Sequence, residues 1–195
     1  MKKILLAVIV LGMLPVVCNA KEPRTGRDLT VAFVASTFNE STQKYSSKWP
    51  FKEPQAPKSI KLATNAGVVT TYTLKTDKEE YLFEILAKSG VVCHSTGGVM
   101  FGPGKKDYIK FPAVPGKELV RVEIVSGKDS SDPLSPVIVT EDGTPVAGGD
   151  AVSVPFSLND GLVWNLEGAG KGVACKLVTN WTHYFGIREL KLTYR

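Results

Sequence analysis

Residues 97–126 have the sequence GGVMFGPGKKDYIKFPAVPGKELVRVEIVS, in which three strand-like runs are separated by glycine and proline. The first run ends at a Gly-Pro-Gly tripeptide and the second ends at Pro112. In the third run, residues 119–125, Arg121 and Glu123 alternate with apolar residues. Alternation with a period of two, bounded by turn residues, is typical of antiparallel strands that bury one face.

The same pattern recurs along most of the chain. Other short runs of β-branched, aromatic and aliphatic residues lie at 29–35, 68–74, 81–87, 91–94, 137–140, 162–166, 173–178 and 187–194. No segment of useful length has the period of a helix, so frequent turns between ten or more short strands predict an all-β fold, a sandwich or a barrel. Residues 36–57 are polar and carry Trp49 close to two prolines, which predicts a long loop.

The first twenty residues have the features of a secretory signal peptide. Two lysines precede an apolar core at 4–14, and a small-residue cleavage site ends at Ala20. We expect a signal peptide at 1–20 and one β-sandwich domain at 21–195, exported to the periplasm, the cell surface or the extracellular space. Lipidation of Cys18 is the minority alternative, because the bulky Val17 precedes it.

The charge of the remaining chain is small and dispersed. Without the two signal-peptide lysines, 22 of the 24 basic residues stand against 19 acidic ones, a net charge of +3. No basic tract with interleaved aromatic residues is present, which argues against a nucleic-acid partner. No later run is long and apolar enough for a transmembrane helix, so we expect no transmembrane segment.

Two cysteines, Cys93 and Cys175, follow the signal peptide. In an oxidising compartment they could form a disulfide, and closing a loop of that length contributes roughly 4 kcal/mol in the chain-entropy model. The alternative is two unpaired thiols that are buried as small apolar side chains. The sequence leaves both alternatives open.

Two segments combine aromatic rings with polar groups, as sugar binding requires. One contains Trp49 and Phe51 between lysines. The other is the turn at 180–185, from which the candidate ligand contacts are Trp181, His183, Tyr184 and, just beyond it, Arg188. The structural alternative is that Trp49 plugs one end of the sandwich and that Trp181 packs at the rim of the core.

Catalysis and metal binding have weaker support. Neighbouring residues on a strand face opposite sides, so Cys93 and His94 cannot form a nucleophile–base pair with each other. No nucleophile elbow, P-loop or dinucleotide fingerprint is present, and we predict that the protein is not an enzyme. A structural calcium ion is an open alternative, with candidate oxygen ligands at Asp129, Asp132, Glu141, Asp142 and Asp150; aspartate is also an ordinary turn residue.

Several motifs together resemble a group of exported bacterial proteins, largely uncharacterised, that have a galactose-binding-like jelly-roll sandwich. The motifs are WPF at 49–51, GVMFG at 98–102, DYIKFPAVPGKELVRV at 107–122, TEDGTPVAGGDA at 140–151, WNL at 164–166 and IRELKLTY at 187–194. The resemblance implies a fold similar to carbohydrate-binding modules, which bind glycans at loops on one edge or across a concave sheet face. Many such modules carry a structural calcium ion, and no catalytic signature comes with the resemblance.

The expected function is therefore a secreted, non-catalytic module that binds carbohydrate through loop aromatics. The alternative is a protein-interaction module of a cell-surface assembly, with a protein as its partner. A third interpretation, an unrecognised glycan hydrolase, has less support because the sequence marks no carboxylate pair.

Overall fold

The computed structural model describes residues 27–52, 66–102, 104–127, 130–134, 136–150, 154–156, 161–181 and 184–195. The predicted signal peptide, Cys18 and Asp129 lie outside the described residues. Within the described ranges, no helix is both long and apolar enough to cross a bilayer.

Fifteen strands form in the part of the chain that the structure describes. They are β1 (Leu29–Val34), β2 (Ser36–Asn39), β3 (Lys44–Ser47), β4 (Thr70–Lys75), β5 (Glu80–Leu86), β6 (Val92–His94), β7 (Gly98–Phe101), β8 (Gly104–Lys110), β9 (Leu119–Ser126), β10 (Ser130–Leu134), β11 (Val137–Thr140), β12 (Val154–Phe156), β13 (Gly161–Asn165), β14 (Cys175–Trp181) and β15 (Phe185–Tyr194).

Two antiparallel sheets contain most of these strands. The front sheet has the order β13-β9-β15-β7-β6, and β1 joins it beside β15. The back sheet has the order β11-β14-β8-β5-β4, while β2–β3 and β10–β12 form two separate pairs. The predicted all-β, antiparallel β-sandwich is therefore confirmed, and its assignment as a galactose-binding-like jelly roll stays a prediction.

The apolar core lies between the two sheets. On β9, Val122 and Ile124 are buried, whereas Arg121 and Glu123 alternate with them and pair at the surface. Trp164 on β13 is 1% exposed, lies opposite Val122, and donates its indole N–H to the Asp150 carbonyl at 3.2 Å. The period-two pattern of the sequence thus separates the core face from the solvent face as predicted.

The predicted long loop at 36–57 was wrong for its first part. Ser36–Asn39 and Lys44–Ser47 form a two-stranded hairpin, in which Phe38 pairs with Tyr45. Apart from the buried Ser36, its strand residues are exposed or half-buried. Because neither face is fully covered, the hairpin lacks the apolar alternation by which a strand is recognised in a sequence.

Cys93 and Cys175 are both unpaired and buried, which is the second of the two alternatives that the sequence left open. Cys93 lies opposite Val99 in the front sheet, and Val99 in turn lies opposite Ile187 near the start of β15. Cys175 belongs to the back sheet. Burial, with a smaller contribution from the nearby Cys175, raises the pKa of the Tyr194 hydroxyl at the end of β15. Seven residue steps along β15 separate Ile187 from Tyr194, roughly 23 Å, so the thiols lie at opposite ends of the sandwich.

We predict that neither thiol reacts at a measurable rate in the folded protein. Burial raises the pKa of each to about 11, so about one thiol in a thousand is ionised at pH 8. Ellman's reagent should leave both thiols unmodified in native protein that begins at residue 21, and should titrate both in concentrated guanidinium chloride without a reductant. Denatured, unreduced protein with no reactive thiol would contain the disulfide instead.

Candidate ligand-binding site at the Arg188 junction

Strand β15 changes partners on both of its edges at Arg188. On one edge, Ile187 pairs with Ser126 and Glu189 pairs with Val125, so Arg188 is the extra residue of a β-bulge. On the other edge, β7 pairs with β15 as far as Ile187, and β1 takes over from Glu189. Bulges of this kind redirect side chains and are frequent beside functional sites. We call this place the Arg188 junction.

Gly98, the first residue of β7, allows this close approach. Its φ is +67°, and a Cβ there would collide with the carbonyl oxygen of Ile187 and the Cα of Arg188. Both obstacles are backbone atoms, which cannot rotate away. Only glycine accommodates the left-handed conformation and the short separation together.

The β2–β3 hairpin covers the junction because β1 has to leave the sheet there. The Ala35 N–H donates to the Arg188 carbonyl at 2.7 Å, just beyond the end of β1. From Ile187 toward the start of β15, β7 takes the place of β1 on this edge of β15. The chain then turns outward at Ser36, whose buried hydroxyl donates to the Ser95 carbonyl. At the base of the hairpin, the Lys48 N–H returns to the Ala35 carbonyl at 2.9 Å.

Arg188 is buried, and the described residues provide no anionic partner for it. Its side chain lies under Tyr45, with the guanidinium carbon 4.9 Å from the ring centroid, and the residue is 5% exposed. Its Nε atom is buried and has no hydrogen-bond acceptor, and no carboxylate of the described residues lies within ion-pair distance. The Tyr45 ring attracts the cation across its face but accepts no hydrogen bond along the in-plane N–H directions.

Phe38 borders the junction on its exposed side, and Tyr184 lies earlier on the chain than Arg188. Phe38 is 40% exposed and packs against Tyr45, with ring centroids 4.7 Å apart. Tyr184 is half-buried and lies directly before β15. An exposed ring, a second ring and a guanidinium therefore follow one another from the surface inward.

The predicted contacts divide between two places. Arg188 belongs to the junction, Tyr184 lies directly before β15, and the backbone of Trp181 ends β14 opposite Gly104. The side chain of Trp181 and the whole of His183 lie outside the described residues. Of the predicted contacts, the structure therefore places Arg188 at the junction, and it adds Phe38 and Tyr45, which the sequence reasoning missed.

Trp49 and Phe51 belong to the core rather than to this junction. Phe51 is 4% exposed and packs against Phe33, while Trp49 is half-buried with its ring 5.4 Å from Phe51 and 5.6 Å from Tyr72. Phe51 consequently presents no face to a ligand. For this segment the geometry supports the structural interpretation, in which the aromatic residues close one side of the sandwich.

Two of the carboxylates proposed as calcium ligands, those of Asp142 and Glu141, have partners of their own. Asp142 accepts hydrogen bonds from the Thr140 hydroxyl and, at 3.0 Å, from the Thr144 N–H, which together lower its pKa to about 2. Glu141 pairs with Lys110 at 2.9 Å. Among the described residues, no group of three or more histidine, cysteine, aspartate or glutamate side chains could hold a metal ion.

A second polar cluster lies on the outer face of the back sheet. Lys110 contacts Glu84 at 2.6 Å and Glu141 at 2.9 Å, beside a groove of about 600 Å³. Hydrogen bonding to Lys110 lowers the pKa of Glu141. A glycosidase acid needs the opposite shift, toward a carboxyl that stays protonated near neutral pH. Glu141 therefore lacks the shift that a glycosidase acid needs.

Comparisons of the chain with protein-family models, with curated proteins and with solved structures found no match. The resemblance to exported galactose-binding-like proteins thus stays a prediction, and the function has to be argued from the geometry of the site.

Proposed function

We propose that the protein is a non-catalytic module that binds glycans at the Arg188 junction. The observation that carries this proposal is the buried Arg188 guanidinium, whose Nε atom has no acceptor and which lies beneath the ring of Tyr45, against which Phe38 packs. Sugar sites combine an aromatic face for the apolar side of a pyranose with planar polar groups for its substituents. The junction provides both.

In this proposal each residue has a separate task. The exposed ring of Phe38 stacks on a sugar, and Arg188 supplies directional donors below it. Tyr184, directly before β15, contributes a hydroxyl, and the contacts predicted at Trp181 and His183 stay predictions. The bulge and the glycine at 98 hold Arg188 in place through backbone contacts, so the donors are positioned before the ligand arrives.

The proposal of a non-catalytic role is supported by the ionisable groups that the structure describes. Burial raises the pKa of Cys93 to about 11, which leaves it a poor nucleophile at neutral pH. Glu84 and Glu141 both pair with the ammonium group of Lys110. Neither arrangement favours the hydrolase interpretation.

We predict that Phe38→Ala weakens glycan binding about 10-fold or more, since losing one stacked ring costs about 1.4 kcal/mol or more. A glycan array would first select the ligand class, and isothermal titration calorimetry would then compare the variants. Leu82→Ala is the matched control, because Leu82 is 56% exposed on the back sheet, away from the junction. Absence of glycan binding by the wild type, or equal losses in both variants, would contradict the proposal.

Protein interaction is a second candidate function, favoured by an apolar groove on the outer face of the front sheet. The groove has a volume of about 300 Å³, and Val34 and Val163, which line it, are 46% and 42% exposed. The ion pair between Glu123 and Lys191, at 3.2 Å, borders it. Two results together would favour this function. One is a glycan array without a hit, and the other is a cross-link to a surface protein that forms with the wild type and is lost in Val163→Lys.

A further inference from the structure

We propose that the ligand carries a carboxylate, as a uronic acid residue does, and that Arg188 binds it. This inference rests on the proposed glycan-binding function and names the class of glycan. It follows from the charge balance at the junction, from the geometry of the guanidinium group and from the way in which the hairpin covers it.

The charge balance singles out Arg188 among the basic residues that the structure describes. Lys110, whose side chain is 16% exposed, has two carboxylates within 3 Å. Arg188 is buried more deeply, and no carboxylate of the described residues pairs with it. An unpaired charge in a protein interior costs several kcal/mol, and a bound anion would remove that cost. The fold therefore provides carboxylates for the partly buried Lys110, whereas we infer that the anion for Arg188 comes from a ligand.

The geometry of the guanidinium group favours a carboxylate. Tyr45 packs over the guanidinium, with 4.9 Å between the guanidinium carbon and the ring centroid, and the Nε–H at the edge of the group has no acceptor. Two parallel N–H groups match the two oxygens of a carboxylate, and charge-assisted bidentate hydrogen bonds are the strongest of their kind. A sugar carboxylate could occupy this edge while the ring of the same sugar stacks on Phe38.

The hairpin accounts for access to the buried group. Of the eight strand residues in β2 and β3, Ser36 alone is buried. Close to Ser36, the chain is held by the hydrogen bond from Lys48 to Ala35 and by that from Ser36 to Ser95. A hairpin fixed mainly at its base can lift Tyr45 without disturbing either sheet, and the carboxylate then replaces the ring contact with hydrogen bonds.

A structural role for Arg188 predicts a different stability result. If the contact with Tyr45 exists to stabilise the fold, Arg188→Met should lower the melting temperature. If the site is kept for an anion, an apolar side chain of similar length removes an unpaired buried charge, and we expect the ligand-free variant to melt about 2–4 °C higher. A lower melting temperature with unchanged glycan affinity would overturn the proposal.

The decisive experiment is a calorimetric titration with matched ligands. The ligands are an oligogalacturonide, its carboxyl-reduced neutral counterpart and a sulfated oligosaccharide of equal length. The proteins are wild type, Arg188→Lys, Arg188→Met and Arg121→Met, a control that removes the same charge from the surface of the same sheet. Arg188→Lys retains the positive charge but lacks the two parallel N–H groups of the guanidinium. It therefore keeps the proposal testable even if Arg188→Met fails to fold.

We expect the wild type to prefer the carboxylated ligand by about 30-fold, and we expect Arg188→Met to lose that preference. Arg188→Lys should lose about 10-fold, and Arg121→Met should stay within about 2-fold. Equal affinity for both matched ligands would overturn this inference and leave the glycan-binding function standing, whereas no binding of any glycan would overturn the function itself. Tighter binding of the sulfated ligand, or an unchanged preference in Arg188→Met, would overturn the assignment of a carboxylate to Arg188.

Discussion

Trp164→Ala should lower the free energy of unfolding by about 3–5 kcal/mol, because it leaves a large cavity where two strands of the front sheet meet the core. Trp164 is 1% exposed and lies opposite Val122 on β9. In a chain of this size each kcal/mol shifts the melting temperature by about 2–4 °C, so the variant should melt about 10 °C lower. Urea unfolding followed by circular dichroism measures the difference.

Two controls separate the parts of this effect. Trp164→Phe keeps an aromatic ring but removes the N–H that donates to the Asp150 carbonyl, and it should cost about 1–3 kcal/mol. Val163→Ala changes the exposed neighbour and should cost under about 0.5 kcal/mol. A loss below about 1 kcal/mol in Trp164→Ala would mean that Trp164 is not part of a tightly packed core.

Gly98→Ala is the second substitution for which we expect a large loss, about 2–4 kcal/mol. The left-handed φ of +67° costs an alanine about 1–2 kcal/mol, and the new methyl group would press on the backbone of Ile187 and Arg188. The methyl group should push β7 away from β15. Because β15 carries Arg188, this displacement should also weaken glycan binding. Thermal unfolding and a glycan titration of one sample measure both effects.

Gly116→Ala is the matched control for backbone strain. Gly116 has a φ of +72°, but no atom lies within 4 Å of the place where its Cβ would be. It should therefore lose about 1–2 kcal/mol from strain alone and retain full glycan affinity. If the two variants lost the same stability, the close approach of β7 and β15 at Gly98 would not be a stabilising feature of the fold.

The strands and turns could be predicted from the sequence because local patterns encode them. On β9, alternation assigns Val122 and Ile124 to the core, and the structure agrees. The Asp142-Gly143 dipeptide between two apolar runs is typical of a hairpin turn, and in the structure Gly143 has a φ of +93° and Val139 bridges Pro145. Period and turn chemistry are properties of a few consecutive residues, so they need no knowledge of distant partners.

The site could be predicted only in part, because its residues meet through pairings between distant strands. The apolar residues of β15 change phase between Ile187 and Leu190, which is a sequence sign of a bulge at Arg188. Phe38 and Tyr45 are equidistant from the centre of a polar turn, as cross-strand partners are. Neither pattern predicts that the β2–β3 hairpin covers the bulge at Arg188. That contact depends on the point along β15 at which β7 replaces β1 as its neighbour.

The most direct test of the Arg188 site is the ¹H–¹⁵N spectrum of the arginine Nε–H groups during titration with a carboxylated oligosaccharide. Loss of one signal in Arg188→Lys assigns the resonance. We predict that the Arg188 signal shifts and exchanges more slowly with solvent as the ligand saturates, while the signals of Arg121 and Arg195 stay in place. Saturating ligand that leaves the Arg188 resonance unchanged would contradict the account.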